Sequence, residues 1–493
     1  MREMTVKAIS TTRRALLGAS AGFSALLLTG CLNLAPAYDR PAAPDETASK
    51  WGVSPAEAGV KEGEFVVWEK FFLDDRLKKV IRTALDNNRD LRQSMLEVER
   101  LRQLYRVSTA ELFPSVSAAG SGSHSRSSID TITPGQPRVG HLYAANLAMS
   151  SYEIDFFGRI RNMNEQALQA YLAQDDARRS AQNTLIAEVA TVWLSVGADR
   201  AALDLAKTTL ESQMASYKLV EQSYNAGASN KLELSQAQTT VASAKVALET
   251  AQNSLAQDIN ALRLLVGAEV PPELLPSGIE LGATLPASLP AGLPSEVLLK
   301  RPDIAAAERS LRAANASIGV ARAAFFPRIA LTGSIGTAST DMSDLFSGGR
   351  GTWSFGPSVS LPIFQGGANV ANLEAAKVYQ KEMVAAYEKS IQSAFREVND
   401  ALATESTIGK QLEAQNELVK AAETAYSLAQ QRYQHGVDSY LSVLDAQRSM
   451  VSAQQGQIQT RLARAASIVT LYKVLGGGQE ALASASSEAK NAS

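Results

Sequence analysis

Tyr433-Gln-His-Gly436-Val-Asp-Ser-Tyr-Leu441-Ser-Val-Leu-Asp-Ala-Gln447 repeats a motif already present at Tyr224-Asn-Ala-Gly227-Ala-Ser-Asn-Lys-Leu232-Glu-Leu-Ser-Gln-Ala-Gln238. Glu188-Val189 falls on Glu397-Val398 at the same spacing of about 209 residues. Phe113-Pro114-Ser-Val116 echoes Phe326-Pro327-Arg-Ile329 at nearly that distance. Matches that keep their order point to an internal duplication, and each half then reads as helix, Phe-Pro, strand pair, long helix, glycine turn, helix.

The first half predicts one helical stretch from about Asp75 to Leu112, with Leu77, Val80, Ile81, Ala84, Leu85 and Leu91 at helical spacing. It ends before Pro114, because proline disfavours helix in the preceding residue. A strand follows from Ser115, although Ser115–Ser123 shows little apolar alternation. A Gly/Ser/Pro-rich loop covers about Ser121 to Gly140, and a second strand runs from Leu142 to Phe156. A helix from about Arg159 to Tyr224 then extends roughly 100 Å at ~1.5 Å per residue. Gly227 breaks it, and helix returns over Leu232–Leu265.

In the second half Arg301-Pro302-Asp303 opens a helix, since proline suits a first turn and aspartate its positive dipole end. Strands Ile329–Ile335 and Trp353–Ile363 follow, then a helix from about Asn369 to Tyr433, a break at Gly436, and a helix over Leu441–Leu475.

Trp353, Phe355, Pro357, Val359, Leu361 and Ile363 alternate with Ser354, Gly356, Ser358 and Ser360. Ile329, Leu331 and Ile335 alternate with Arg328, Ala330, Thr332 and Ser334. Apolar-out, polar-in alternation over about ten residues is how a transmembrane barrel strand reads. A half-buried soluble sheet alternates equally well. Four strands per chain cannot close a barrel, because about eight is the minimum, so a dimer of eight strands or a trimer of twelve is implied. The long helices are rich in Ala, Ser and Gln with modest apolar stripes, as for close coiled-coil packing with one wet face. A coiled-coil spacer with no lumen fits that periodicity too.

The N-terminus bears on compartment. Arg2, Lys7, Arg13 and Arg14 precede an apolar run, Ala15 to Gly30, that ends at Cys31, the one cysteine of the 493 residues. This is the layout of a secretory signal, and the run is short for a bilayer span. Leu28-Thr29-Gly30-Cys31 resembles a bacterial lipobox, which implies a covalent lipid on Cys31; Leu32, rather than aspartate, then favours the outer membrane. The alternatives are an ordinary signal with a stray thiol, or a twin-arginine signal at Thr12–Leu17.

Composition excludes several classes. The net charge of −2 leaves no basic stripe for nucleic acid. With Cys31 lipidated no disulfide or Cys-metal site remains. His124, His141 and His435 are spread through the sequence, and HExxH, GxSxG, P-loop and GxGxxG-plus-acid patterns are missing, so no enzyme and no metal cofactor is expected. Few His and scattered Met give metal export no support.

Several runs resemble the TolC-like outer-membrane factors of resistance-nodulation-division efflux systems, in their NodT-type lipoprotein branch. They are Cys31–Pro41, Trp68-Glu-Lys-Phe-Phe72, Ser151–Arg159, Leu293-Pro-Ser-Glu, Arg301–Ile304, Ala323–Pro327, Phe355-Gly-Pro357, Leu361–Phe364, Ala394–Val398 and Gly436–Gln447. The resemblance covers Cys31 to about Gly477. It implies a mainly α fold with a transmembrane β-barrel: a homotrimer whose twelve-stranded β-barrel lies in the outer membrane, above an α-barrel in the periplasm. Its parts would be a signal peptide (1–30), an anchored extended segment and belt (31–74), the first repeat (75–266), a linker and belt (267–295), the second repeat (296–476) and a C-terminal tail (477–493).

The implied partners are a periplasmic membrane-fusion adaptor, an inner-membrane pump and outer-membrane lipid. The implied role is passive conduction of drugs or other small molecules, with a gated periplasmic end. Loops around Arg126–Gly140 and Thr340–Gly351 would be extracellular. Gate candidates are Tyr426, Gln430, Arg432 and Asp438, with Glu221 and Lys231 at the other turn. Gly227, Leu232, Gly436, Val437 and Leu441 would face the adaptor. A protein or polysaccharide secretion channel, or a lipid-anchored coiled-coil protein without a pore, remain the alternatives.

Overall fold

A computed structural model of the protein describes residues 32–42, 44, 67–133, 135, 137–280, 284–286 and 301–477. The expected leader, Cys31, the Leu293–Glu296 motif, part of the 267–295 linker and all but the first residue of the tail lie outside the described residues.

The elements follow in order: α1 (Asp75–Asn87), α2 (Arg89–Ala110), β1 (Ser117–Arg126), β2 (Val139–Ile154), α3 (Arg159–Asn225), α4 (Lys231–Val266), α5 (Pro302–Ala323), β3 (Arg328–Ser339), β4 (Gly351–Ser360), α6 (Ala368–Gln434) and α7 (Tyr440–Val474). A single helical turn at Trp68–Phe71 precedes them. The duplication carries into the backbone: α3 and α6 are each 67 residues, and α2 and α5 are each 22.

Three boundaries differ from the sequence reading. The stretch from Asp75 to Leu112 is two helices, parted at Asn88. Its buried side chain donates from Nδ2 to the Leu265 carbonyl (2.8 Å) and accepts from the Leu91 N–H (2.8 Å). Asn88 therefore ends one helix and caps the next, while apolar spacing continues across the break. Ser121 to Ser125 lie in β1 rather than in a loop, leaving 127–138 as the hairpin connection. At the other end, β4 stops at Ser360, so Leu361 and Ile363 fall beyond it; Pro362 has no N–H to give a ladder.

The chain divides into two compact units. The first comprises Glu99–Ala173, Glu308–Ala386 and the described residues up to Pro41. Its sheet has the order β1-β2-β3-β4, antiparallel throughout, with β1 and β4 as free edges and a register irregularity between Met149 and Tyr152. Gly336 lies opposite Asn146, where an added Cβ would stand 2.2 Å from the Ala145 carbonyl oxygen.

The expected 31–74 segment is divided between the units, with residues 32–41 belonging to this one. They lie along α5. Asn315 donates to the Pro36 carbonyl (2.9 Å) and Arg322 to the Leu34 carbonyl (3.0 Å). Tyr38 and Arg40 both reach Glu308.

The second unit comprises Ala42–Val98, Gln174–Ala307 and the chain from Tyr387 onward. Its core holds Trp193, whose Nε1 donates to the Leu274 carbonyl (2.9 Å), and Phe71, stacked on Tyr472 at 4.0 Å. Arg301 is buried and bridges Asp303, Glu397 and the Val474 carbonyl, each at 2.8 Å. Glu397, found first as a repeat position, thus ties the start of α5 to α6.

Candidate functional site: a helix-reversal tip and an apolar sheet face

In the second unit two helix pairs reverse direction at glycines. After α3, Gly227 adopts φ 75°; its N–H bonds to Tyr224 O (3.0 Å) and the Ala228 N–H to Ser223 O (2.8 Å). After α6, Gly436 adopts φ 70°, with Gly436 N–H to Tyr433 O (2.9 Å) and Val437 N–H to Arg432 O (2.9 Å). Both are helix ends in which a left-handed residue lets two backbone N–H groups satisfy terminal carbonyls, and glycine adopts that conformation without a Cβ penalty.

A small core holds the reversal together: Val220, Leu234, Ala237, Tyr440, Val443 and Leu444 are buried, with Tyr217, Tyr426, Ala429 and Tyr433 packed on them. Tyr433 and Tyr440 rings lie 5.3 Å apart. Burial, with Tyr433 and Tyr426 nearby, pushes the Tyr440 phenol up to about 12.

Of the gate candidates, Arg432 and Asp438 form an ion pair across the second turn, Nε to Oδ2 at 2.5 Å. The guanidinium holds the Asp438 carboxyl below its usual range. Glu221 and Lys231 are not paired with each other: Glu221 accepts from Tyr217 Oη (2.7 Å), and Lys231 Nζ stands 5.7 Å over the Tyr224 ring. Tyr426 Oη lies 3.5 Å from Ser212 Oγ. Gln430 is half-buried, with no side-chain hydrogen bond among the described residues. Leu232 (66%), Val437 (59%) and Leu441 (50%) are exposed beside the two glycines, an apolar surface uncovered by the protomer itself.

Sequence reasoning named Tyr426 but missed Tyr217 and Tyr433. The duplication held the signal, since Tyr217 and Tyr224 stand at the repeat positions of Tyr426 and Tyr433.

The sheet of the first unit has two unlike faces. Cross-strand register aligns Leu147 with Ile335 and Ile335 with Trp353, then Leu331 with Pro357 and Ile329 with Val359. Ile335 (66%), Trp353 (79%), Phe355 (63%) and Val359 (67%) are exposed. Ser334, Ser354, Thr332, Ser358 and Asn146 occupy the opposite face, with Ser334 and Ser354 hydroxyls 2.8 Å apart. The soluble half-buried sheet would cover its apolar side; here Ile335, Trp353, Phe355 and Val359 of that side stay exposed, while Ile329 and Leu331 are half-buried. No helix among the described residues is long and apolar enough to cross a membrane, and none of their His, Cys, Asp and Glu side chains form a metal-competent group of three.

The profile of the outer membrane efflux protein family matches residues 80–268 and 293–477. The chain belongs to that family. The two matched blocks correspond to the two halves of the duplication. Among relatives of this outer membrane efflux protein, the antibiotic efflux pump outer membrane protein ArpC of Pseudomonas putida is 45% identical over 93% of this chain and 95% of its own length. The toluene efflux pump outer membrane protein TtgC of Pseudomonas putida is 44% identical over the same shares. The open-state structure of the Neisseria gonorrhoeae MtrE outer membrane channel superposes with a TM-score of 0.78 at 38% identity, covering 90% of this chain and 98% of that one. The fold is thus that of the TolC-like outer-membrane channels and is mainly helical.

Proposed function

We propose that three copies of this outer membrane efflux protein close one tube, and that the tube is the exit duct of a tripartite pump. The observation that carries this reading is the four-stranded sheet: among the described residues both edges are unpaired, and one face exposes Ile335, Trp353, Phe355 and Val359. Lipid accepts the apolar face, but it cannot satisfy the edge N–H and C=O groups, so a closed barrel must. Twelve strands from three chains meet that need, and the serine-rich face then lines water. α2 fits the same picture, because Met95, Leu96, Leu104 and Val107 are exposed on it and become contacts between copies.

Cys31 carries the lipid anchor in this reading. The tip surface at Gly227, Leu232, Gly436, Val437 and Leu441 docks the periplasmic adaptor, and the inner-membrane pump supplies the energy. The duct is passive and performs no covalent chemistry. The named cargo of the relatives, antibiotics and toluene, sets the substrate class to test: small apolar and amphiphilic compounds.

Reconstitution tests the reading. Purified mature protein should run as a heat-modifiable trimer, give discrete single-channel currents in planar bilayers, and form inter-copy crosslinks between cysteines placed on β1 and β4. A monomer in detergent without currents would overturn it.

A further inference from the structure

His124 on β1 and His141 on β2 are direct cross-strand partners. Their Nδ1 atoms lie 2.5 Å apart, with ring centroids at 4.7 Å and planes at 75°. They are two of only three histidines in the chain, and the hairpin brings them together from positions that look unrelated in sequence. Both are exposed. Tyr143, on the same face of β2, places its Oη 3.3 Å from His124 Nε2.

We propose that His124 and His141 form a binding site for one divalent transition-metal ion of the class that prefers imidazole nitrogen: Cu2+, Ni2+ or Zn2+. Each neutral imidazole offers one lone pair; at 2.5 Å the two Nδ1 atoms share one hydrogen bond, and the ion takes that proton's place once the donating ring shifts its proton to Nε2. With metal–nitrogen distances of about 2.0–2.1 Å, two nitrogens on one ion stand about 3 Å apart, so a ring shift of well under 1 Å admits the ion. Tyr143 accepts a hydrogen bond from His124 Nε2–H in the bound form. That sets the tautomer that leaves Nδ1 free to ligate, the role an outer-sphere partner plays in metal sites.

The neighbours complete the picture. Arg126 lies on the same face opposite Val139, and Arg138 ends the hairpin connection just before β2; neither can ligate. Asp341 is close enough to feel His141, but its Oδ1 accepts from the Ser343 N–H (3.0 Å) and hydroxyl (2.8 Å). His124 and His141 each stand two residues from the strand end that meets the hairpin connection, the end expected to be extracellular, so water rather than lipid fills the remaining coordination positions. The site lies on the apolar face, in line with Tyr143 and Leu147, not on the serine-rich face, so it is no cargo site. Its effect is to staple β1 to β2. β1, Ser-Ala-Ala-Gly-Ser-Gly-Ser-His-Ser-Arg, has only small side chains beyond these last residues and little else to hold it across the strand.

The test uses the full chain in detergent with Cu2+ as the probe. At one equivalent per chain near neutral pH, electron paramagnetic resonance should show two nitrogen ligands. His124→Asn and His141→Asn should each weaken Cu2+ binding at least tenfold, the double variant should add little, and His435→Asn should leave binding unchanged. Binding that survives H141N, or that vanishes in H435N, overturns the site. So does a spectrum of the unmutated protein without nitrogen ligands, a result independent of how any variant folds.

Discussion

Arg432 donates from Nε to Asp438 Oδ2 across a turn whose apex is Gly436, so one ion pair spans the second helix reversal of each chain. Replacing both residues with alanine should loosen that turn and, in the proposed trimer, raise leak conductance in planar bilayers several-fold. Acid should imitate the change: Asp438 is held low by Arg432, so the pair's contribution is complete above the ordinary carboxylate range and is lost as pH falls through the lowered value. Equal conductance of parent and double variant would remove these two from the gate.

Asp199 on α3 is pushed up to about 6, by desolvation first and the Asp258 carboxylate second, and its Oδ2 is buried without a hydrogen-bond partner. A raised carboxylate penalises the fold fully above its folded pKa of about 6, and the penalty fades as pH falls from there to the ordinary value of 3.8. Asp199→Asn should therefore melt above the parent at pH 7.5, by a smaller margin at pH 5, and level with it only below the ordinary carboxylate value. Thermal melts at both values check this; a gap independent of pH would refute it.

Glu308 gathers Tyr38, Arg40 and Arg312 around one carboxylate. Burial alone would raise its pKa, but the Arg40 and Arg312 hydrogen bonds outweigh that and hold it low. Glu308→Ala should cost on the order of 1–2 kcal/mol, after discounting for the half-exposed Arg40. The readout is local: residues 32–41 should gain hydrogen exchange, while the tip stays protected.

Gly336 leaves no space for a side chain, since a Cβ would stand 2.2 Å from the Ala145 carbonyl oxygen and 2.6 Å from Asn146 Cα. Gly336→Val should separate β2 from β3 at a cost on the order of 3 kcal/mol. Loss of the heat-modifiable oligomer on gels is the expected sign; a variant that assembles like the parent would show that the sheet can part there.

Much of this was readable beforehand. Apolar alternation from Trp353 to Val359 marked a strand, and Gly227 and Gly436 marked reversals, because a local backbone rule decides each. Asn88 was not readable as a break: its cap depends on Leu265, far away in the chain, while the helical spacing runs on. Ser115–Ser123 shows little apolar alternation and so reads as a poor strand; pairing with β2 holds β1 in place. The pairing of Arg432 with Asp438, and of Glu221 and Lys231 with Tyr217 and Tyr224, depends on side-chain geometry at the turns that the residue pattern alone does not carry.

The linear order of residues determined the duplication, the length of the helices and the alternation of the strands, because these depend on neighbours a few positions apart. Only the tertiary structure decided which side chains meet. His124 faces His141, Arg301 reaches Glu397 and Asn162 donates to Asn33 because strand register and helix packing bring distant segments within a hydrogen bond's length. Such contacts depend on geometry accumulated over the whole chain, and no short window of sequence carries it.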